Sequence, residues 1–383
     1  MKHTTVLISG AGIAGPALAF WLARYGCDVT VVERAPQLRP GGQAVDFKGA
    51  THRTVLERMG LLDAVRERQT GGRDQTIVDE HGRPLAVIPG EFTGGDIEIG
   101  RGELAALLHA RTAGACEYRF GDSVTSLTET ADRVHVTFAG SAPAGFDLVV
   151  GADGIHSNIR RLAFGPELDY VTFLGHYYAL VDGLTADGGR DDEAFMYNEP
   201  GRMVATGGPK APAFFVFRSP QLQYDRYDPQ AAKRILRGAY SGGRWRIPEL
   251  LDRLDAADDV YLDSISRVQV PAYSKGRVVL LGDAGYGNTL GGFGTGLAVV
   301  GAYVLAGELR AAGGDFRTAF AAYETAFRGY AKVSRQGSAG PFLAPPSGLR
   351  IAMRNWTFQS RWLLRMMLKL TDRYATGIEL KQY

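Results

Sequence analysis

Gly10-Ala11-Gly12-Ile13-Ala14-Gly15 stands directly after the apolar triplet Val6-Leu7-Ile8, and Glu33 closes the next apolar run, Val29 to Val32. Glycines at this spacing have separate tasks. The first allows a tight turn, the second lets backbone N–H groups approach a pyrophosphate, and the third lets a helix lie close to a strand. A carboxylate 21 residues beyond Gly12 can accept hydrogen bonds from a ribose diol. The pattern predicts a dinucleotide site at the tip of a βαβ unit.

Two further segments carry residues of the same kind. One is Val149-Val150-Gly151-Ala152-Asp153-Gly154-Ile155-His156-Ser157-Asn158-Ile159-Arg160. The other is Gly282-Asp283-Ala284, which follows an apolar run and precedes Gly291-Gly292-Phe293-Gly294-Thr295-Gly296 and an apolar helical stretch. His156 is expected as a surface or satisfied polar residue rather than an acid–base group.

In this order and at these separations, the three segments resemble the fingerprints of the class A flavoprotein monooxygenases. That aromatic-hydroxylase family includes tetracycline-inactivating and polyketide-tailoring hydroxylases. The resemblance covers about residues 1 to 340. It implies non-covalent FAD, with Gly10, Gly12, Ile13, Ala14, Gly15, Glu33, Arg34, Arg101 and Asp153 on the cofactor side and Asp283 on the ribityl chain. Asp153 and Arg160 look like a pair known from that family, with a fold-holding role, Asp153 capping the next helix and Arg160 in an internal ion pair, or a cofactor-side role. Gly294 lies on the cofactor side too, and the backbone of Thr295 and Gly296 meets the N1–C2=O edge of the ring. A helix N-terminus there, with about half a positive charge and free N–H donors, would favour an anionic reduced flavin. Gly41-Gly42-Gln43-Ala44-Val45-Asp46 resembles the loop along the substrate side of the ring, which makes Gln43 and Asp46 candidates for the flavin edge or the substrate. Arg244-Trp245-Arg246-Ile247-Pro248 is similar to the WxWxIP element of flavin halogenases without its first Trp, and is expected to be structural.

The implied reaction is reduction of FAD by NADPH or NADH, addition of O₂ at flavin C4a, and transfer of one oxygen from the hydroperoxide to an aromatic or polyketide-like small molecule. A role in secondary metabolism such as antibiotic biosynthesis fits that chemistry. The flavin carries it, and no side chain is singled out as acid or base. The sequence departs from the family where a His usually follows Gly-Asp-Ala and a Pro comes soon after: Tyr286 occupies the first position and Thr289 or Leu290 the second. Two alternatives share every motif, a flavin-dependent NAD(P)H oxidase or reductase without oxygen insertion and a non-catalytic flavin-binding protein.

The elements that must position these residues read as an α+β fold, a Rossmann-like FAD-binding domain of GR2 type interrupted by a β-sheet substrate domain and closed by C-terminal helices. The FAD-binding parts are 1–73, 97–168 and 266–340. The substrate parts are a hairpin at 74–96, around Asp79-Glu80-His81-Gly82, and a β-sheet domain at 169–265, whose segment Tyr170–Tyr227 reads as an aromatic-rich, mostly β layer. The C-terminal helices are 341–383. Helices are expected through about Gly26, over Thr51–Arg68 and over Gly102–Arg111, and strands at Val134–Phe138 and Asp147–Val150. Arg350 to Leu370 reads as a basic amphipathic helix, with Trp362, Leu363, Met366, Met367 and Leu370 on one face.

Composition agrees with a small-molecule enzyme. Lys+Arg 43 against Asp+Glu 41 gives a formal charge of +2, too little to draw nucleic acid or an anionic membrane. Glycine, 50 of 383 residues, is about twice its usual share, as close backbone approaches require. Cys27 and Cys116 offer neither a disulfide framework nor a metal site, which fits a reducing cytoplasm. No signal peptide is read before the first strand. The uncharged stretch Ala284 to Gly307 is too interrupted by Gly to read as a membrane span. Oligomeric state is left open.

Overall fold

The computed structural model describes residues 1, 3–39, 41–90, 96–184, 194–207, 213–257, 260–335, 337–360, 362–363 and 378–383. Four sheets organise them. The first has six strands in the order β17 (Ser274–Lys275), β18 (Val278–Leu280), β11 (Leu148–Gly151), β1 (Thr5–Ser9), β2 (Asp28–Glu33) and β7 (Glu117–Phe120). All neighbours pair in parallel except β17 with β18. Val6, Leu7 and Ile8 on the central strand are completely buried, as expected of a parallel strand covered on both faces. From β1 the chain runs to β2 on one side, while β11 and β18 lie on the other. The carboxyl ends of β1 and β11 therefore flank a topological switch point, where open α/β sheets bind ligands.

The second sheet has seven strands, β16 (Val260–Val268), β12 (Val171–Val181), β15 (Ala213–Arg218), β14 (Arg202–Thr206), β13 (Phe195–Glu199), β4 (Gln75–Val78) and β5 (Pro84–Ile88). Both faces are covered. Tyr177, Val204, Phe215 and Phe217 pack with Leu236 and Leu250 of the helices Pro229–Tyr240 and Ile247–Arg253. On the other face Tyr178, Met203, Val216 and Ile265 meet Leu290 and the C-terminal residues Phe342, Leu343 and Phe358. Two smaller sheets complete the set, β8 (Val124–Glu129) with β9 (Val134–Phe138) and β10 (Ala144–Phe146), and β3 (Ala44–Phe47) with β6 (Ile97–Gly100).

Several elements differ from the sequence reading. The single helix expected over Thr51–Arg68 is two, Gly49–Arg58 and Leu62–Glu67. Gly60, at φ +64°, closes the first with its N–H on the Glu57 carbonyl, while the Leu61 N–H bonds the Leu56 carbonyl, a left-handed helix end that glycine favours. The segment Tyr170–Tyr227 is mostly strand, as read, but the rest of the substrate part to 265 is not all β. Asp228 caps the helix Pro229–Tyr240 by accepting from the Gln230 N–H, with Pro229 in the first turn. Trp245 and its neighbours lead into the helix Ile247–Arg253. The C-terminal helix runs Gly348–Gln359. Of the face expected on it, Met366, Met367 and Leu370 lie outside the described residues. The uncharged stretch after Ala284 contains the helix Gly294–Ala311, whose residues from Gly296 to Leu309 are buried in the protein core. Among the described residues no helix is long and apolar enough to cross a membrane.

Candidate active site

Four strands of the six-stranded sheet end at one edge, and each delivers one of the residues read from the sequence. After β1 comes Gly10, at φ +110°, where a side chain would collide with the Ala152 carbonyl at the end of β11. The two turns touch through backbone, so only glycine fits. At the end of β2 the Glu33 carboxylate accepts from the Ala11 N–H at 2.9 Å and the Ala35 N–H at 2.8 Å. It thus holds the glycine turn in shape and keeps further lone pairs for a ligand. The helix Ala14–Arg24 that follows has no side-chain cap, so its first N–H groups face the edge. A Cβ on Gly12 would have as its nearest neighbour the Arg101 guanidinium, 4.0 Å away. Space is kept open above this turn.

Asp153, after β11, caps the helix Asn158–Ala163. It accepts from the Asn158 N–H at 2.9 Å and the Ile159 N–H at 3.1 Å, and from the Ser157 and Ser9 hydroxyls. Burial pushes its carboxyl up, against these hydrogen bonds. Of the two roles open for it in the sequence, the cap is the one the geometry displays. Arg160 is fully buried and donates to the carbonyls of Ala284 and Ile155, with the Glu167 carboxylate 3.9 Å away. It ties the second segment to the third.

Asp283 follows β18 through Gly282, at φ +65°. Burial pushes its carboxyl up while the Arg101 cation pulls it down. One of its oxygens lies 3.4 Å from where a Cβ on Gly294 would sit, so it abuts the start of the helix Gly294–Ala311, which has no side-chain cap. Beneath that start is His52, which the sequence reading missed. A Cβ on Gly296 would collide with the His52 ring. Its Nδ1 accepts from the Lys48 N–H at 3.0 Å, and its Nε2 lies 2.9 Å from the Tyr330 hydroxyl. Burial pushes its pKa down to about 4, so the ring is neutral. Its helical offset from the buried Val55 and Leu56 was the available signal. Tyr286, in place of the family's His, turns away from this edge into the core, its ring 5.3 Å from that of Tyr273 and 5.0 Å from that of Phe327. Leu290 sits at φ +57° and packs on the seven-stranded sheet, backbone strain of the kind found near functional sites.

A family model described as FAD binding domain matches residues 3–315. The chain belongs to this FAD-binding family. It is 37% identical over 320 residues to a flavin-dependent monooxygenase of Legionella longbeachae, covering 81% of this chain and 82% of the relative. An uncharacterised protein of Mycobacterium tuberculosis is 42% identical over 319 residues, covering 81% and 86%. The crystal structure of the tetracycline destructase Tet(51) matches with a TM-score of 0.84 at 29% identity, covering 100% of both chains. The protein is an FAD-dependent monooxygenase of the aromatic-hydroxylase type. The glycine turns, the open space over Gly12 and the uncapped helix starts are what FAD requires.

In this monooxygenase Arg101 is central to the edge. Its backbone N–H donates to the Gln43 carbonyl at 3.2 Å, its Cβ is 3.7 Å from where a Cβ on Gly42 would lie, and its charge acts on Asp283, Tyr178 and Tyr261. The backbone of Gln43 therefore lies beside Arg101. Asp46 lies on β3 opposite Glu98 of β6. Arg34 leaves the edge, with its guanidinium 3.6 Å over the Tyr227 ring, and lines an open pocket of about 490 Å³ with Leu38 and Arg39. His156 is satisfied, as expected, but by two carboxylates. Its Nδ1 is 2.9 Å from Glu167 and its Nε2 2.9 Å from Asp263. Burial alone would lower its pKa, but the two carboxylates hold it up, at about 9.

Proposed function

We propose that this monooxygenase takes electrons from NADPH or NADH and inserts one atom of O₂ into an aromatic or polyketide-like small molecule. The observation that supports this most is the convergence of the glycine turns, Arg101 and two uncapped helix starts at one sheet edge, next to the apolar face bearing Tyr178 and Leu290. Bound FAD supplies the electron and oxygen chemistry. The chain's own residues bind and orient it. Gly10, Gly12, Ile13, Ala14 and Gly15 take the pyrophosphate and Glu33 the ribose, with Arg34 turned to Tyr227 instead and Asp153 stiffening the second turn from behind. Asp283 takes the ribityl chain, and the N–H groups of Gly294, Thr295 and Gly296 take the pyrimidine edge. Gln43 and Asp46 lie on the substrate side.

In this reading residues 1–73, 97–168 and 266–340 form a GR2-type cofactor domain. Residues 74–96 and 169–265 form the substrate domain, and 341–383 close it. The likeness to a tetracycline destructase makes tetracyclines the first polyketides to try. The test is anaerobic mixing of the yellow holoenzyme with NADPH or NADH, with and without a tetracycline. Bleaching accelerated by the substrate is the expected result. A flavin that neither nucleotide reduces under any condition would leave a flavin-binding protein without this activity.

A further inference from the structure

The first turn of the helix Gly294–Ala311 rests on a histidine ring. Gly296 has no room for a side chain because the buried ring of His52 fills that space. The ring comes from the helix Gly49–Arg58 and is held at both nitrogens. Nδ1 accepts from the Lys48 N–H at 3.0 Å, and Nε2 lies 2.9 Å from the hydroxyl of Tyr330, which opens the 3₁₀ turn Tyr330–Arg335. Phe47 and Tyr330 flank the ring edge-on, at 6.2 and 6.5 Å between centroids.

The proton on this ring is placed by its partners. A backbone N–H only donates, so Nδ1 keeps its lone pair and the proton of the neutral ring stands on Nε2. Nε2–H then donates to the Tyr330 hydroxyl. An imidazolium would turn a second N–H against that of Lys48, and burial also disfavours the charge. The Asp96 carboxylate, which accepts from the Gly49 N–H at 2.9 Å and pairs with Arg53, acts the other way and is outweighed. His52 is thus an uncharged wedge with a fixed tilt. It ties the helix start at Gly296 to the end of β3, the strand that carries Asp46, and to Tyr330.

We infer that His52 is a positioning residue for the flavin, a neutral ring pinned between Lys48 and Tyr330 that fixes the first-turn N–H groups of the helix Gly294–Ala311. The inference rests on the proposed placing of the flavin N1–C2=O edge at the N–H groups of Gly294, Thr295 and Gly296. Reduced flavin carries negative charge at that edge, so donors aimed there bind it more strongly than the oxidised form. Their effect depends on being held in place before the charge arrives. Loss of the support therefore weakens the reduced state more, whereas loss of a residue that only packs the core weakens both states alike.

The test is the two-electron reduction potential of the FAD-loaded protein, measured against redox dyes without oxygen, nicotinamide nucleotide or substrate. His52→Phe keeps a ring against Gly296 but bonds neither Lys48 nor Tyr330, and Tyr330→Phe removes only the acceptor of Nε2–H. His52→Phe should make the preference for reduced over oxidised FAD about tenfold smaller, a potential lower by about 30 mV. Tyr330→Phe should shift it the same way by less, and His52→Gln, whose amide has both a donor and an acceptor, should recover part of the loss. Thr295→Pro deletes one N–H in a first turn that tolerates proline and should also lower the potential. A wild-type potential in Thr295→Pro would remove the flavin edge from this helix start, and the inference with it. A lowered potential in Thr295→Pro beside wild-type values in His52→Phe and Tyr330→Phe would overturn the inference alone. If His52→Phe does not retain FAD, Tyr330→Phe decides by itself. Failure of oxygen insertion would leave all these potentials unchanged.

Discussion

Glu33 and Asp283 are single carboxylates at strand ends, and in the proposed reading each takes charge-assisted hydrogen bonds from the cofactor. Replacing either with Ala should weaken FAD binding by about 1.5–3 kcal/mol, measured by titrating apoprotein with FAD. Glu33→Ala should also lower apoprotein stability, because Ala11 and Ala35 lose their partner. His52 and His156 give opposite pH dependences. His156, raised from 6.5 to about 9, adds stability that is full below pH 6.5 and lost as pH rises through about 9. His52, lowered from 6.5 to about 4, adds stability that is full above pH 6.5 and lost as pH falls toward 4. Melting temperatures across this range should therefore fall at both ends, with His156→Gln flattening the alkaline limb and His52→Gln the acidic one. A profile unchanged in both variants would contradict these assignments. The glycines and Glu33 were legible in the sequence because backbone geometry and ribose chemistry dictate their types. His156 with Asp263 was not: the pair is 107 residues apart and meets only when β16 packs beside the second segment.

At the level of elements, the starts of the helices Ala14–Arg24 and Gly294–Ala311 do most to shape the cofactor edge. Gly296→Ala would place a methyl against the His52 ring and push the second helix start out of place. Gly12→Ala meets only the Arg101 guanidinium, at 4.0 Å. The two should separate on measurement: Gly296→Ala lowers both apoprotein melting temperature and FAD affinity, while Gly12→Ala lowers FAD affinity by tenfold or more and leaves the apoprotein melting temperature nearly unchanged. Equal effects on stability would mean that the space over Gly12 is not kept for a ligand. The strand–turn–helix units were readable because apolar runs of parallel strands are continuous and end in Gly. Helix Pro229–Tyr240 was overlooked despite its Asp228-Pro229 start, because the aromatic alternation of Phe214 to Phe217 dominated the reading of its neighbourhood.

Across the whole molecule, the last residues pack on the far half of the helix Gly294–Ala311. Glu308, on the helix that begins at Gly294, is buried and takes Lys381 Nζ at 2.6 Å and the Tyr383 hydroxyl at 2.7 Å, while the Tyr303 hydroxyl donates to the Lys381 carbonyl at 2.7 Å. Removing residues 378–383 would leave that carboxylate without these partners and should destabilise the protein by about 3 kcal/mol, measured by denaturant unfolding. Nothing in the sequence signalled this contact, since a lone Lys and Tyr beyond the last helix carry no periodicity. Glu308→Gln should recover part of the loss in the truncated chain by removing the buried charge.

The same convergence at the sheet edge would serve a flavin enzyme that only reduces oxygen, so the fate of the oxygen atoms tests the central claim. The decisive measurement is mass spectrometry of the product after turnover with FAD-loaded enzyme, NADPH or NADH, and isotopically labelled dioxygen, using tetracyclines and hydroxyarenes as substrates. One labelled atom in the product, with little peroxide, is the predicted result. Stoichiometric peroxide with no label in any substrate consumed would contradict it.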